Sequence, residues 1–408
     1  MLLPWVHPHL TQSIHPQKGR QLLASQRIQR GELLLLDPPY ALIPTPSRRP
    51  DPDHPELNTT NSNNHHPGVE SEQTETDDKI PCSNPQCNRL TRPTTSSSPK
   101  CPNRCTADVR WCDPTCQEMD KSRHEFECLW LRKYTDSIRS KRGEYVFGML
   151  WIIVRLLARR HAETTNTNNS VSDSTLNSER QSRTLTGNLS TFKSGWEAIS
   201  SLCGTTETWS HAQVREWTVL VKKYLSSSSL GHGLSNAEIL GLICQEEANS
   251  FGLYPRETGV NPPPPPAGSA VSGSGSGNKE DTAGTASKDR ERDRDTGRGE
   301  QFGAAVYPRA SIANHSCVPN VIHKPDKNGR MVFTAGRDIA AGEECCISYF
   351  DLSRVVGLHE RREYLSGLFR FRCACARCVE EAETETEAEG GDGGQGQSDW
   401  DVLAGLEG

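Results

Sequence analysis

Positions 314–317 hold residue types that are able to do chemistry: an amide, an imidazole, a hydroxyl and a thiol follow one another as N-H-S-C. Apolar residues such as Ile312 and Val321 flank this run, so the pattern places the polar groups in or near a core. A buried polar group without a partner destabilises a fold by about 1–3 kcal/mol. The run therefore requires internal partners or a ligand, although by itself it is equally compatible with a tight turn between strands.

Cysteine and histidine pairs between residues 82 and 128 form the most specific pattern in the chain. The pairs are Cys82 and Cys87, Cys101 and Cys105, Cys112 and Cys116, and His124 and Cys128. These eight ligands suffice for two tetrahedral zinc ions. A site closed by four protein ligands is structural rather than catalytic. We expect metal binding to supply most of the folding free energy of this small segment.

Three further thiols, Cys373, Cys375 and Cys378, follow a Cys-x-Cys-x2-Cys pattern near the end of the chain. They are one ligand short of a tetrahedral site. The fourth ligand must come from elsewhere in the sequence, and Cys317 in the N-H-S-C run is the candidate.

Length and composition limit the class of protein. The 408 residues allow two or three domains, but only 33% of them are hydrophobic. Polar low-complexity stretches at 51–79, 164–194 and 257–300 account for this low hydrophobic fraction. These stretches cannot bury enough apolar surface to fold. The net charge of −6 reflects residues 380–408, which hold ten acidic and no basic residues, so the remainder carries +4. This mildly basic remainder permits an acidic partner without requiring one.

The start of the chain does not have the apolar core of a secretory signal, since Pro4, His7 and Pro8 interrupt it. The longest apolar run, residues 145–154, is too short to span a bilayer. Clustered cysteines in such a chain favour metal ligation over disulfides. We therefore expect a location in the nucleus or the cytoplasm and no membrane partner. The sequence does not contain the alternation of aromatic and basic residues that is typical of a nucleic-acid-binding groove. We therefore do not expect direct binding to nucleic acid.

Turn and periodicity signals predict the elements that position these residues. Gly-centred turns are expected at 18–20, 30–32 and 327–329, the second of them joining two strands as a hairpin. Residues 331–334 and 346–349 are short β-type runs, whereas 129–162, 196–225, 237–248 and 358–365 have helical periodicity. Ser235 carries a helix-cap signal. We predict Cys203 and Cys244 to be small buried residues.

Residues 82–128 resemble the MYND zinc finger, whose hallmark is the run W-C-D-P-T-C-Q at 111–117 followed by His-x3-Cys. The ligands of that family interleave. The resemblance implies one zinc on Cys82, Cys87, Cys112 and Cys116, and another on Cys101, Cys105, His124 and Cys128. The first two pairs are spaced more widely than is usual in the family.

The chain as a whole resembles the SET and MYND (SMYD-type) protein-lysine methyltransferases. Lys-Gly-Arg at 18–20, N-H-S-C at 314–317, G-E-E with S-Y at 342–349 and the final cysteine cluster occur in the order of that family. The resemblance implies an α+β fold: small β-sheets with a knot-like C-terminal part, an inserted MYND finger, a helical insert and a cysteine-rich post-SET segment.

The same resemblance implies an order of domains. We expect SET strands in 1–45, a linker in 46–81, the finger in 82–128, and a helical insert in 129–256 with a disordered part at 164–194. A disordered Pro/Gly/charged loop in 257–300, the SET catalytic core in 301–351, the post-SET zinc segment in 352–378 and an acidic disordered tail in 379–408 would follow.

Members of this family transfer a methyl group from S-adenosylmethionine to the ε-amine of lysine in a protein, histone or non-histone. The resemblance assigns roles to matching residues. Lys18, Gly19, Arg20 and Asn249 would contact the cofactor, Asn314 and His315 would hold its amino group and adenine, and Phe371 would cover the adenine. Tyr349 would stand at the methyl-transfer point, and Phe251 and Phe369 would wall the lysine channel. Cys317, Cys373, Cys375 and Cys378 would bind a third zinc.

These residue types suit methyl transfer, because the nucleophile must be a neutral amine whose ordinary pKa is about 10.4. A narrow apolar channel lowers that pKa by desolvation. The alternative is a non-catalytic adaptor, in which the finger binds Pro-rich peptides and the SET fold is a scaffold. Intact Asn314, His315 and Tyr349 favour the enzyme.

Overall fold

Eleven short strands and seven α-helices make up the part of the chain that the computed structural model describes, residues 3–45, 80–91, 98–169, 188–226, 230–255 and 301–389. The strands are β1 Trp5–Val6, β2 Leu10–His15, β3 Gly19–Ala24, β4 Leu33–Asp37, β5 Ala41–Pro44, β6 Ile80–Pro81, β7 Leu90–Thr91, β8 Ser250–Leu253, β9 Gly303–Val306, β10 Val321–Pro325 and β11 Met331–Ala335. The helices are α1 Pro114–Met119, α2 Lys121–Asn169, α3 Gly195–Ser200, α4 His211–Tyr224, α5 Asn236–Asn249, α6 Leu358–Phe369 and α7 Ala376–Glu389.

Four small antiparallel sheets arise from these strands. One has the order β1-β4-β11-β10, another is the hairpin β2-β3, a third has the order β5-β9-β8, and β6, just before the finger, pairs with β7 within it. Two of the three predicted turns are confirmed: β2-β3 turns at Gly19 (φ 73°) and β10-β11 turns at Gly329 (φ 68°). Glycine suits both positions because it adopts positive φ without a Cβ clash.

The turn at 30–32 does not close the predicted hairpin. β3 pairs with β2, whereas β4 pairs with β1 and β11 in another sheet. Residues 346–349 are not a strand either; Ile347 makes only an isolated parallel bridge with His315. In both places the observed strand pairing differs from the pairing with the nearest segment in sequence. The alternation of apolar residues predicts a strand but does not predict which strand it pairs with.

Helix α2 packs against strands β5 and β9 and against helix α5. Its predicted stripe, which runs from Phe147 to Leu157, is buried in the larger core cluster. Gly143 (φ 82°) interrupts the helix before this stripe. No helix in the described ranges combines the length and the hydropathy needed to cross a membrane.

Several predicted boundaries need correction. The helix expected over 196–225 is broken into α3, a 3-10 turn Thr206–Thr208 and α4, because Gly204 adopts φ 130°. The disordered part expected at 164–194 begins with the end of α2 and finishes with a 3-10 turn, Leu189–Thr191. Helix α7 extends into the expected acidic tail as far as Glu389. Residues 46–79 of the predicted linker and residues 170–187, 257–300 and 390–408 of the predicted disordered segments lie outside the described residues.

The helix with a cap signal at Ser235 is confirmed, and its N-terminus is a complete capping box. The Ser235 hydroxyl accepts from the Glu238 amide, while the Glu238 carboxylate accepts from the Ser235 amide. This cap fixes the start of α5, whose last residue is Asn249. Cys244 in the same helix is buried as predicted, whereas Cys203 is exposed, contrary to the prediction.

Candidate metal and cofactor site

Twelve cysteine and histidine side chains come together in three groups of four. Their members are Cys82, Cys87, Cys112 and Cys116; Cys101, Cys105, His124 and Cys128; and Cys317, Cys373, Cys375 and Cys378. Within each group the ligand atoms lie within 4.8 Å of one another. Four soft N and S donors around one point fit tetrahedral zinc. The structure thus groups the same residues that the sequence assigned to three zinc ions, including the interleaved order in the finger.

Local backbone geometry shapes the first finger group. Asp113 caps helix α1 by accepting from the Cys116 amide at 2.7 Å, which turns the Cys112–Cys116 pair into a compact knuckle. The Cys112 amide points at the Cys82 sulfur at 3.4 Å. Such N–H···S contacts stabilise a thiolate, which is the form that binds metal.

A buried carboxylate orients the histidine of the second finger group. Glu127 is fully buried, and one of its oxygens lies 3.1 Å from His124 Nδ1, which leaves Nε2 for the metal. Burial alone would raise the pKa of Glu127, but the guanidinium groups of Arg123 and Arg155 hold it well below the usual range. Glu127 is therefore charged and balances two buried cations.

The same carboxylate connects the finger to the rest of the chain. Glu127 accepts from Trp151 Nε1 at 3.2 Å and from Arg155 Nε at 3.1 Å, both on the second half of α2. Arg155 in turn donates to the Leu42 carbonyl in β5 and to the Ser83 hydroxyl in the finger. One ionic network thus fixes the finger against the helix and the sheet.

The third group brings residues from two distant parts of the chain together. Cys317 comes from the N-H-S-C run, and its sulfur lies 3.6 Å from that of Cys378. Arg361 on α6 is fully buried, and its Nη2 approaches the Cys378 sulfur at 3.6 Å. A nearby guanidinium offsets part of the negative charge of four thiolates around one divalent ion.

His315 is placed between this group and Tyr349. Its Nδ1 accepts from the Tyr349 amide at 3.1 Å, and its Nε2 lies 3.3 Å from the Cys317 sulfur. Burial lowers the pKa of His315 to about 4, so the ring is neutral and its one proton is on Nε2. Both ring nitrogens are engaged, so a hydrogen bond from His315 to a cofactor would use its main chain.

Tyr349 lies in an aromatic cluster built by the post-SET segment. Its ring centroid is 4.8 Å from that of Phe369 and 6.2 Å from that of Phe371. Its hydroxyl donates to the Ala313 carbonyl at 3.0 Å. Burial raises the pKa of Tyr349, so the side chain is a neutral phenol at physiological pH. Its oxygen retains acceptor capacity for a donor entering the cluster.

A polar corner forms where the first hairpin meets the N-H-S-C run. Asn314 Nδ2 donates to the Arg20 carbonyl at 3.1 Å and to Glu344 Oε1 at 2.8 Å. Lys18 forms an ion pair with the other oxygen of Glu344 at 2.7 Å, and this hydrogen bond is the largest cause of the raised pKa of Lys18. Gly19 provides the turn between the two basic residues.

Arg20 carries an orphaned donor in this corner. Its Nη2 is buried and has no hydrogen-bond partner among the described residues, while Nη1 makes only a long contact of 3.5 Å with the Ser201 hydroxyl. A buried guanidinium nitrogen without an acceptor is unfavourable. This atom therefore fits an anionic group of a bound molecule.

Asn249 joins the corner from the end of α5. Its Nδ2 donates to the Cys203 carbonyl at 2.6 Å and to the Gln245 carbonyl at 2.8 Å. Both amide hydrogens are used, so the Asn249 oxygen is the atom available to a ligand. Ser311, just before the N-H-S-C run, donates to the Asn249 carbonyl at 3.1 Å.

Residues 201–203 belong to the site and were missed by the sequence reasoning. They touch Arg20 and Asn249 because the chain turns sharply at Gly204, where an added Cβ would lie 2.5 Å from the Cys244 carbonyl oxygen. Glycine at 204 was the available signal. The helical periodicity of the surrounding apolar residues conceals this signal.

Phe251 is placed apart from the aromatic cluster in the described contacts. Its ring packs edge-to-face on Tyr307 at 5.5 Å and on His323 at 6.0 Å. Phe369 contacts Tyr349, whereas the contacts of Phe251 lie with Tyr307 after β9 and with His323 in β10.

Comparison with known proteins gives the family. The SET domain family model matches residues 19–350. The chain is 45% identical over 85 residues to a protein of Saccharomyces cerevisiae named potential protein lysine methyltransferase SET6, covering 20% of this chain and 21% of that protein. It is 41% identical over 81 residues to the Gallus gallus protein-lysine N-trimethyltransferase SMYD5, covering 19% of each.

A longer match is found with another relative. A SET and MYND domain-containing protein of Dictyostelium discoideum is 22% identical over 283 residues, which is 67% of this chain and 46% of that protein. The chain thus spans less than half of the length of each of these three relatives. A solved structure of the SET domain of LSMT bound to lysine and AdoHcy aligns with 84% of this chain at a TM-score of 0.29 and 10% identity. Since the family model covers most of the chain, this protein belongs to the SET-domain family.

Proposed function

We propose that this chain is an S-adenosylmethionine-dependent protein-lysine N-methyltransferase. The observation that carries the proposal is the meeting of two unlike environments at residues 313–315. On one side is a polar corner with an orphaned guanidinium nitrogen on Arg20, and on the other is the apolar cluster around Tyr349. Relatives whose names record lysine methyltransferase activity support the proposal.

The polar corner fits the amino-acid end of the cofactor. That end carries one carboxylate and one ammonium group. Arg20 Nη2 is positioned to donate to the carboxylate, and the amide oxygens of Asn314 and Asn249, whose hydrogens are already used, are acceptors for the ammonium. Lys18 acts indirectly by holding Glu344 against Asn314. When bound, the cofactor supplies an electrophilic methyl group on a sulfonium.

The aromatic cluster prepares the nucleophile. A lysine amine entering beside Tyr349 and Phe369 leaves water, and desolvation lowers its pKa and favours the neutral form. The Tyr349 hydroxyl is held by the Ala313 carbonyl, so its oxygen orients the amine without adding a charge. Phe371 packs against both Tyr349 and His315 and excludes water. Alignment of the reacting atoms supplies much of the catalysis.

The expected zinc ions are structural on this proposal. Each group has four protein donors and therefore no open position for substrate. We also propose a reducing location in the nucleus or cytoplasm, because thiols at this density remain available to metal there. Pro-rich peptide partners for the finger are part of the proposal, as is a protein substrate presenting a lysine.

The test is incubation of the zinc-loaded chain with radiolabelled S-adenosylmethionine and a mixture of lysine-containing proteins. We expect labelled protein lysine, and we expect Tyr349→Phe to lower the rate by about 10²-fold, which is the order of magnitude seen when one preorganised hydrogen-bonding group is removed from an active site. Zinc content and circular dichroism should not change. No binding of S-adenosylmethionine and no labelling by the wild-type chain would sink the proposal and favour the adaptor.

A further inference from the structure

The end of helix α6 has an unusual backbone conformation next to the aromatic cluster. Arg370 follows the helix with φ 62° and ψ 31°, in the left-handed region where glycine or asparagine usually ends a helix. Its two neighbours in sequence, Phe369 and Phe371, both pack on Tyr349. The backbone conformation of Arg370 therefore affects the positions of both aromatic rings relative to Tyr349.

The Arg370 side chain is held by the helical insert, 157 residues away in sequence. Its guanidinium carbon lies 5.1 Å from the centre of the Trp209 ring, and its Nη2 donates to Gln213 Oε1 at 2.9 Å. A cation over an indole face and a charge-assisted hydrogen bond are both favourable. We name Arg370, Trp209 and Gln213 the latch.

The receiving side of the latch is itself well fixed. Trp209 is 7% exposed and packs edge-on against Trp217 at 5.0 Å. The hydroxyl of Ser210, the N-cap of α4, donates to the same Gln213 oxygen at 3.0 Å. Arg370 thus contacts a side chain in the first turn of α4 and a buried ring. We name Trp209 and the first turn of α4 the anchor.

The anchor is continuous with residues that touch the polar corner. The segment from 201 to 213 contacts Arg20 through Ser201, Asn249 through the Cys203 carbonyl, and Arg370 through Trp209 and Gln213. One stretch of the insert therefore reaches the cofactor corner at one end and the aromatic cover at the other.

We infer that Arg370 is a positioning residue that fixes Phe369 and Phe371 over Tyr349 by latching the post-SET segment to the helical insert. The inference rests on the proposed function for its catalytic consequence, but the latch itself is a structural claim about this chain. Loss of the latch leaves the aromatic cover mobile, so the binding of S-adenosylmethionine weakens while the zinc ions stay bound.

Arg370→Asn tests the latch, because asparagine accepts the left-handed backbone but cannot reach Trp209 or Gln213. We expect the dissociation constant for S-adenosylmethionine, measured by calorimetry on the zinc-loaded full chain, to rise about three- to tenfold. Arg215→Asn, which removes an exposed positive charge from α4, is the control and should leave it unchanged. Zinc content should stay the same in both variants.

A substitution of Gln213 that strengthens the contact with Arg370 distinguishes the latch from a general loss of stability. Gln213→Glu turns the contact into a salt bridge and should tighten S-adenosylmethionine about threefold. In the Arg370→Asn background the same change should have no effect, because the partner is gone. Equal effects of Gln213→Glu in both backgrounds would contradict direct coupling.

Hydrogen–deuterium exchange of residues 366–372 without cofactor completes the test. Faster exchange in Arg370→Asn than in the wild type and Arg215→Asn supports the latch, and unchanged exchange overturns it. Faster exchange with unchanged S-adenosylmethionine affinity overturns its role in the site. If the wild-type chain binds no S-adenosylmethionine while Arg370→Asn still exchanges faster, the proposed function fails and the latch stands.

Discussion

The finger and the group built on Cys317 use the same ligand chemistry in different positions in the chain. All eight finger ligands lie within residues 82–128, whereas the other group joins Cys317 to three cysteines that begin at residue 373. Glu127 ties the finger to the second half of helix α2 and, through Arg155, to strand β5. The Cys317 group is tied through His315 to the backbone of Tyr349.

This difference teaches that position in the chain, and not ligand type, decides what a metal group does for the protein. A group closed by local ligands stabilises its own segment. A group that closes a long loop of chain also fixes whatever lies on that loop. Here the loop carries Tyr349, and the segment that returns to the group carries Phe369 and Phe371. Only the Cys317 group is expected to affect the proposed methyl transfer directly.

Removal of one ligand from each region gives the largest expected contrast. Cys317→Ser should reduce the zinc content from three ions to two and weaken S-adenosylmethionine binding by at least about 10-fold, since altered support of a metal group changes function by about 10–100-fold. Cys112→Ser should also lose zinc but should retain most of this binding. Elemental analysis and calorimetry measure the two quantities. A Cys317→Ser chain that loses zinc and binds S-adenosylmethionine normally would break the comparison.

Glu127→Gln tests the attachment of the finger. The substitution keeps the shape but leaves the buried Arg155 without the carboxylate that it pairs with, while Arg123 keeps Asp120 alone. Breaking a buried ion pair typically costs about 3–5 kcal/mol. We expect this loss in the free energy of unfolding, measured by chemical denaturation, together with weaker zinc retention. Glu125→Gln, on an exposed neighbour in α2, is the control. Equal stability of the two variants would show that the network does not carry the attachment.

Gly204→Ala sharpens the comparison from the side of the helical insert. The added Cβ would lie 2.5 Å from the Cys244 carbonyl oxygen at a φ of 130°, so residues 201–203 must shift away from Arg20 and Asn249. We expect a loss of about 1–3 kcal/mol in stability and weaker S-adenosylmethionine binding with zinc content unchanged.

The matched control for Gly204→Ala is Gly241→Ala. Gly241 lies in α5, and a Cβ there meets no atom within 4 Å. Replacing a helical glycine by alanine should stabilise the chain by about 0.5–1 kcal/mol. Thermal unfolding of both variants gives the comparison, and a loss of stability in Gly241→Ala equal to that in Gly204→Ala would refute the steric account.

Glu343→Gln should have the smallest effect. Burial alone would raise the pKa of Glu343, but hydrogen bonds from Arg337, the Ala340 amide and Asn320 lower it below its ordinary value. A lowered folded-state pKa means that the carboxylate stabilises the fold above the unfolded-state pKa and that this stabilisation is lost as the pH falls through the folded-state value. We expect the free energy of unfolding of the wild type to be higher than that of the variant by about 0.5–1 kcal/mol at pH 7.

The pH dependence is the check on this last prediction. The difference in unfolding free energy between wild type and Glu343→Gln should shrink below the ordinary carboxyl pKa of about 4.3 and vanish at lower pH. Acid release of zinc affects both chains equally and cancels in the difference. A difference that grows on acidification would show that Glu343 does not act as a charge.

Much of the fold and part of the site could be predicted from local signals. The hairpins at Gly19 and Gly329 and the capped helix after Ser235 are confirmed, because turn glycines and caps act over a few residues. The expected hairpin at 30–32 and strand at 346–349 are wrong, because strand partners are chosen by tertiary packing. Glu127, Arg361 and residues 201–203 could not be assigned to the site from local signals, because their contacts join separate parts of the chain.

By itself, the sequence determined the eight ligand residues of the finger and the three clustered thiols at 373, 375 and 378, whereas the meeting of Cys317 with those thiols is a feature of the tertiary structure. The spacing of Cys and His residues is set by the reach of a few residues around one ion, so it can be read without a structure. Only the tertiary structure decided that the imidazole of His315 turns toward Cys317 and the Tyr349 amide, and that Arg370 reaches Trp209. The contact of Arg370 with Trp209 joins residues that are far apart in sequence, and the contacts of His315 fix which way its ring faces. Both depend on side-chain packing, which local sequence does not specify.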